Sequence, residues 1–297
     1  MSAISNESKG TITTPESTGV PSAIAARRRR SIVVNSLRVL LLVVIIGGWQ
    51  LLTSWKLPGA KDPIIDPFFW GHPSGIWNQL VTWVTQGTAQ GPLLEQIGVT
   101  LEETLLGFAI GVVLGIVFGV VLGRNRFLAD VLGPYIKGAN SIPRVTLAPL
   151  FAIGFGLGTP SKVALAAVLV FFIVFFNAFQ GVREVDRNLL ANARILGASQ
   201  RRLTTEVIIP SALTWIIASL HTSFSFALVG AVVGEFVGAI QGIGLMIQNA
   251  GSNFNANGVF AAMAILAVVA LLSEALVTAL ERRLLRWRPS TVSEATI

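Results

Sequence analysis

"ANARILGASQRRLTTEVIIP", Ala191 to Pro210, places three arginines, a lone glycine and a proline between two of the most apolar stretches of the chain. Leu189, Leu190, Ala193 and Leu196 recur at helical spacing, flanked by Arg187, Arg194, Arg201 and Arg202. That pattern predicts a short amphipathic helix lying along a membrane face. Gly197 is placed to end it, because glycine accepts the left-handed conformation common at helix ends. Ser199 is placed to cap the helix that follows, and Pro210 marks where that helix bends into the membrane. Small residues on the outside of this elbow (Ala191, Ala193, Ala198) make a compact knob of the kind that plugs into a groove on a soluble partner. An ordinary interfacial loop is the competing reading.

The surrounding composition decides the fold class. The chain has 297 residues, 53% apolar and 12% charged, where soluble domains carry about a quarter charged residues. An all-α polytopic membrane protein follows, since helices satisfy their own backbone groups in lipid and each span needs roughly 20 residues. The net charge of +7 does not point to nucleic acid, because Lys and Arg punctuate apolar runs instead of forming a stripe. The chain has no cysteine, hence no disulfide, thiolate metal site or thiol nucleophile. His72 and His221 are too far apart to suggest a metal site by spacing.

Residues 1–30 read as a disordered basic tail, rich in Ser, Thr, Gly and Pro and closed by Arg27–Arg30. Residues 31–56 hold the first span, about Ile32–Trp55. Its length and the want of a small-residue cleavage site make it an uncleaved anchor. Residues 57–97 form an external segment, first broken by proline and glycine, then carrying a short interfacial helix at "IWNQLVTWV" (Ile76–Val84). Trp49, Trp55, Trp70, Trp77 and Trp83 fall in or beside it, as expected at a membrane–water boundary. Residues 98–288 hold five further spans, at about 99–123, 131–157 (interrupted), 161–182, 207–234 and 258–280. Residues 289–297 are a second tail. Six spans put both termini on one side.

Charge orients them. With a cytoplasmic amino terminus, Lys56, Lys61 and Lys162 lie outside and Arg144 falls within the interrupted span. The other basic residues are inside or, like Arg38 and Lys137, near the inner end of a span, the asymmetry expected when basic residues stay on the cytoplasmic side. The elbow therefore faces the cytoplasm.

Within the spans, Gly107, Gly111, Gly115, Gly119 and Gly123 recur every four residues and form one smooth stripe for close helix packing. A sliding surface is compatible with the same stripe. The third span carries Pro134, Pro143 and Pro149 with Asn140, Ser141, Arg144 and Thr146. Irregular backbone at membrane depth belongs beside protein or a water-filled cavity. Arg144 faces either an interior path or a structural partner, unless it lies near the inner surface and snorkels. Glu102 and Glu103 read as outer-interface residues. His221 reads as a satisfied core histidine with Thr222, Ser223 and Ser225 nearby, and Glu274 as half of an ion pair. Asn177, Gln180 and Glu235 complete the polar candidates. No Gly-Lys dipeptide occurs, so no phosphate-binding loop of the GxxxxGK[ST] type. No catalytic cluster or metal-binding HExxH is present either, and the chain is not expected to be an enzyme or to bind a cofactor or metal.

The elbow resembles the cytoplasmic loop of ABC importer permeases, whose pattern is Glu-Ala-Ala, three residues, Gly, nine residues, Ile-x-Leu-Pro. Gly197 fits the glycine, Val207, Ile209 and Pro210 fit the end, and Ala193 fits the second alanine. Ala191 stands in place of the glutamate and Asn192 in place of the first alanine. "IPRVTLAPLFAIGFGLGTPSK" (Ile142–Lys162), "AVVGEFVGAIQGIGLMI" (Ala231–Ile247) and "LERRLLRWRP" (Leu280–Pro289) resemble the nitrate/sulfonate/taurine branch. The resemblance covers about residues 60–290. It implies a six-helix subunit that pairs with a second copy and presents its elbow, as a coupling helix, to two cytoplasmic ATPase subunits. These hydrolyse ATP with Mg, and an external substrate-binding protein delivers cargo. Ala193, Gly197, Ala198 and Ser199 would dock in the ATPase groove, with arginines such as Arg201 meeting its surface. Asn140, Ser141, Arg144, Thr146, His221, Ser225 and Glu235 are candidates for the translocation path. The implied cargo is a small anion, with pyrimidine precursors or aromatic acids as the alternative. An ATP-independent secondary transporter is the rival class, although no inverted repeat is evident. Replacing Gly197 with Glu is expected to abolish uptake in whole cells while membrane insertion persists; normal uptake would remove the coupling role.

Overall fold

The computed structural model describes residues 20–56 and 63–284. Both predicted tail ends, residues 1–19 and 289–297, lie outside the described residues. The chain divides into two units, residues 1–64 and 65–297. The first carries α1, Val20–Ser54, whose apolar part is Arg30–Ser54. Those 25 residues rise about 37 Å, enough to cross a hydrocarbon core of about 30 Å. The helix begins at Val20, so residues 20–30 are helical where composition predicts disorder. Ala and Arg are among the strongest helix formers, and the sequence "AIAARRRR" extends the anchor backwards.

The second unit is built from α2 (Pro67–Trp70), α3 (Pro73–Thr85), α4 (Leu93–Arg124) and α5 (Arg126–Ser141). A 3-10 turn (Arg144–Leu147) leads to α6 (Ala148–Phe155), followed by α7 (Thr159–Arg183), α8 (Arg187–Ile195) and α9 (Gln200–Arg202). A π-helical turn (Leu203–Ile208) joins α9 to α10 (Ile209–Val237), and α11 (Ile243–Ser252) and α12 (Ala256–Leu284) complete the chain. Among the described residues there is no strand, only two isolated bridges. Five helices there are long and apolar enough to cross a membrane: Arg30–Ser54, Leu93–Arg124, Thr159–Arg183, Gln200–Val237 and Ala256–Ala279. The segment predicted as an interrupted third span is α5, a break at Ile142–Pro143, the 3-10 turn and α6.

Three helices form the tightest core. The glycine stripe of α4 lies on α7 in matching four-residue steps: Gly107 on Ala166, Gly111 on Val170, Gly115 on Val174, Gly119 on Ala178 and Gly123 on Val182. Both series rise together, so the two helices are parallel. A Cβ added at Gly111 would meet the Ala167 carbonyl and the Val170 Cβ at 2.6 Å, and one at Gly115 the Val174 Cβ at 2.8 Å. α10 runs the other way, with Gly230 under Ala166, Gly234 under Lys162, and Gly181 of α7 against Ala212 and Trp215. Phe108 and Phe224 meet edge to face at 5.4 Å where α4 crosses α10.

Parallel α4 and α7 impose a topology. The chain leaves α4 at the elbow end of the core and must re-enter α7 at the far end, so residues 125–158 return along its whole length. α5 and α6 are that return path. Ala148 and Phe151 of α6 pack with Leu165 and Leu169 of α7 and Val233 of α10.

Gly111→Ala and Gly115→Ala are each expected to destabilise the folded protein by about 1–3 kcal/mol, the usual cost of overpacking. Gly47→Ala in α1, where an added Cβ meets nothing within 4 Å, serves as the control. Thermal aggregation midpoints in detergent read the difference; equal midpoints for all three would mean the seam does not hold the helices together.

Candidate functional site

The elbow is built by local hydrogen bonds. Asp186 caps α8 by accepting from the Asn188 N–H at 2.8 Å. Gly197 takes φ +78°, and the Ala198 N–H reaches the Ala193 carbonyl at 3.0 Å while the Gly197 N–H reaches that of Arg194 at 2.9 Å. This bond pair terminates helices around a left-handed residue. The Ser199 hydroxyl then accepts from the Arg202 N–H at 3.3 Å and opens the next helix. Pro210 stands in the first turn of α10, directly after the π turn. The proline has no N–H to give, and the wide turn ahead of it is where the helix absorbs that loss.

Ala193 and Ala198 are half-buried, and Gly197, Ser199 and Arg201 are exposed. The apex belongs to two residues that the sequence pattern did not single out as contacts: Ile195 and Leu196 are 83% and 86% exposed. Helical spacing assigns Leu196 to the apolar face, and in the structure it directly follows the last residue of α8.

At the far end of the core, a polar cluster holds the loop between α10 and α11. Three successive backbone N–H groups are captured by three side chains: Gly242 by Gln96 Oε1 at 2.9 Å, Ile243 by Thr100 Oγ1 at 3.0 Å, and Gly244 by Glu235 Oε2 at 2.6 Å. Thr100 donates its own proton to Glu235 Oε1 at 2.7 Å. A Cβ at Gly242 or Gly244 would run into the Glu235 side chain. A carboxylate at the amino terminus of α11 also complements its dipole. Glu235, a candidate for the path, is fully buried with both oxygens bonded inside the core.

Glu103 and Lys162 join this cluster, against expectation. Glu103 is 2% exposed and Lys162 1% exposed, so both charges are buried in protein at the far end of the core. The Lys162 ammonium donates to the carbonyls of Leu157 and Gly158, and its stem lies over Gly234, where a larger residue would block it. Glu103 Oε2 is buried without a hydrogen-bond partner. A charge near a span end reads as interfacial in one dimension; the close approach of α10 seals it.

The remaining path candidates fall in two other places. The Arg144 guanidinium donates to Asn140 Oδ1 at 2.7 Å and lies 5.0 Å above the Phe172 ring. Phe172 is near the midpoint of the 25-residue α7, about 16 to 20 Å from its ends. Ser141 and Thr146 flank it, exposed, each donating to a backbone carbonyl. On α10, His221 Nε2 meets Glu274 Oε1 of α12 at 3.2 Å. With Ser225 they line a groove of about 490 Å³ whose other walls are apolar. His221 has its partner but is half-exposed, not a core residue. Among the described residues no group of His, Asp and Glu is arranged to hold a metal ion.

An all-helical fold with five helices long and apolar enough to cross a membrane among its described residues, a broken span and a capped elbow at one end is that of a multi-pass membrane protein. The chain belongs to the family described as binding-protein-dependent transport system inner membrane component, whose profile matches residues 111–286. It is 36% identical over 200 residues to a putative aliphatic sulfonates transport permease protein, SsuC, of Bacillus subtilis strain 168, covering 67% of this chain and 72% of that one. The taurine transport system permease protein TauC of Escherichia coli K12 is 30% identical over 80% of this chain and 86% of its own length. The riboflavin transport system permease protein RibX of Chloroflexus aurantiacus is 38% identical over 69% and 76%. A chain of the inward-facing MetNI methionine ABC transporter shares the fold with a TM-score of 0.57 at 20% identity, covering 64% of this chain and 95% of that chain. The resemblance to ABC importer permeases of the sulfonate and taurine type is borne out.

Thr100→Val removes both the proton given to Glu235 and the acceptor for the Ile243 N–H, leaving buried polar groups unpaired. A loss of about 1–3 kcal/mol is expected, together with faster proteolytic cutting between residues 238 and 244. Unchanged melting and unchanged cutting would show that the cluster does not hold the loop.

Proposed function

We propose that this chain is the membrane-spanning subunit of an ATP-driven importer for a small anion of the sulfonate type, working as a pair of identical copies. Counting α5 and α6 as one crossing gives six, an even number that supports both termini lying on one side, the cytoplasmic side in this reading. The elbow end carries Arg124, Arg126, Arg183, Arg194, Arg201 and Arg202, while Lys162 is the one basic residue at the far end of the same unit among the described residues, an asymmetry that supports a cytoplasmic elbow. An external binding protein releases cargo at the far end.

The observation that carries the reading is the elbow's apex. Ile195 and Leu196 project two exposed apolar side chains from the arginine-rich elbow end of the core, and the core does not cover them. Large exposed apolar groups rimmed by charge mark a protein contact, and a groove on each ATPase subunit accounts for both. Ala193, Gly197, Ala198 and Ser199 shape the knob behind them, and Arg201 meets the rim. ATP and Mg belong to the partner.

Sulfonate and taurine relatives support an anionic cargo. A second reading, a neutral heteroaromatic cargo, has support in RibX and in the formylaminopyrimidine transport permease protein ThiX of Halalkalibacterium halodurans, which is 32% identical over 64% of this chain and 76% of its own length.

Purifying the tagged chain in mild detergent is expected to bring down, in stoichiometric amount, a subunit carrying a GxxxxGK[ST] loop. Leu196→Asp should lose that subunit without losing membrane insertion. A preparation without it that still transports on an ion gradient would overturn the proposal in favour of a secondary transporter.

A further inference from the structure

The helix α5 is amphipathic although it lies within the membrane-spanning unit. Arg126, Asp130, Lys137 and Ser141 recur at intervals that place them on one stripe, and all four are exposed. Ala129, Gly133, Ile136 and Asn140 form the adjoining stripe, buried or half-buried, while Phe127, Val131, Tyr135 and Ile142 form an apolar arc on the opposite side. Phe127 and Tyr135 are each 74% exposed, as suits a lipid-facing surface. The charged stripe thus lies between the packed side and the lipid side. Ionisable groups at membrane depth face a bundle interior or a water-filled cavity.

That stripe opens onto a groove of about 590 Å³ between α5 and α7, within the size range of small-molecule sites. Phe175, Phe176 and Phe179 form its α7 wall, Lys137 and Asp130 stand on the α5 side, and Arg183 closes the elbow end. Arg183 lies 4.6 Å above the Phe179 ring, and Arg144, beyond the other end, 5.0 Å above Phe172. Phe172 and Phe179 are two helical turns apart, about 10 Å. Lys137 falls between the two arginines. Among the described residues none of the three cations forms an ion pair, and the ring faces steady the arginines by cation–π attraction. Asp130 is the single opposing charge in the groove.

We propose that Lys137, Arg144 and Arg183 form a ladder on the phenylalanine wall of α7 that conducts a small anion from mid-membrane to the cytoplasmic face. The inference rests on the importer reading for its direction and deepens it by assigning the inner half of the path and the cargo's charge. Three cations in a low-dielectric groove concentrate anions. Spreading that attraction over several weak sites lets the ion leave again, as conduction requires. An anionic group on a lipid would satisfy the same chemistry, so the test separates solute from lipid.

The chain has no native cysteine, so single cysteines report without background. Ser141→Cys is introduced into the whole transporter in inverted membrane vesicles. Its reaction with a sulfonate-bearing and with a trimethylammonium-bearing methanethiosulfonate is timed, each normalised to the reagent's rate with β-mercaptoethanol. The anionic reagent is expected to be favoured on the order of tenfold, with the preference falling in the Lys137→Gln background and methanesulfonate slowing the reaction. Gly138→Cys, on the apolar arc with nothing within 4 Å of its Cβ, should react with neither. Asp130→Cys is the second reporter if Ser141→Cys fails to insert. Silence at both reporters, or equal rates for the two reagents, would overturn the ladder. Protection by added phosphatidylglycerol but not by methanesulfonate would assign the groove to lipid and equally overturn it. Retention of the ATPase subunit by these variants, measured in parallel, keeps a failed ladder distinct from a failed importer.

Discussion

Five glycines of α4 lie on Ala166, Val170, Val174, Ala178 and Val182 of α7, and the direction of that seam governs the rest of the fold. Glycine lets the two backbones come close enough for one helix's carbonyls to touch the other's missing side chains, a contact that dispersion alone sustains in lipid. Because the seam is parallel, the intervening chain must travel back. A return pass confined between a tight pair and the bilayer has limited room, and it is here that the helix breaks at Ile142–Pro143. The break is tolerated because α7 covers it: Arg144 has the Phe172 ring and Asn140 as neighbours, so its charge is not left in hydrocarbon.

A second consequence appears at the far end. With α4 and α10 antiparallel, Thr100 of one bonds Glu235 of the other beneath the Gly242–Gly244 loop, and Gln96 of α4 accepts from the Gly242 N–H. Three consecutive backbone amides that would otherwise lose water are satisfied by side chains from two helices. The glycines are required because the Glu235 carboxylate occupies the space of their side chains. The cluster is a means of ending α10 and starting α11 within a few residues while keeping every captured amide paired.

These features differ in how far they were legible beforehand. Gly197 and Ser199 could be read because their bonds reach only three to five residues, within the reach of a local pattern. The four-residue glycine period identified a packing face but not its partner, since a period states which side of a helix is smooth and not what lies against it. Lys162 and Glu103 were misread for the same reason. Their burial depends on Gly234 standing opposite Lys162, a coincidence between positions 72 residues apart. Leu196 was assigned to an apolar face because spacing cannot show that the helix ends at Ile195, and Ile195 stood outside that pattern.

The placement of the elbow gives these pieces a mechanical relation. Its two ends are the carboxyl terminus of α7 and, through the π turn, the amino terminus of α10. α7 is locked to α4 and to α10 by contacts at which no methyl group fits, and α10 meets α4 through Phe108–Phe224 and Thr100–Glu235. Load entering at Ile195 and Leu196 would therefore be shared by three helices at once, which favours rigid rotation over bending, because a close-packed contact has few intermediate arrangements. The α5 side of α7 is different: an open groove with exposed cations replaces interlocked glycines. Motion of the core as one body would change the width of that groove without disturbing the seam. A stiff element beside a loosely filled one is the arrangement in which a push at one end can open a passage at mid-membrane.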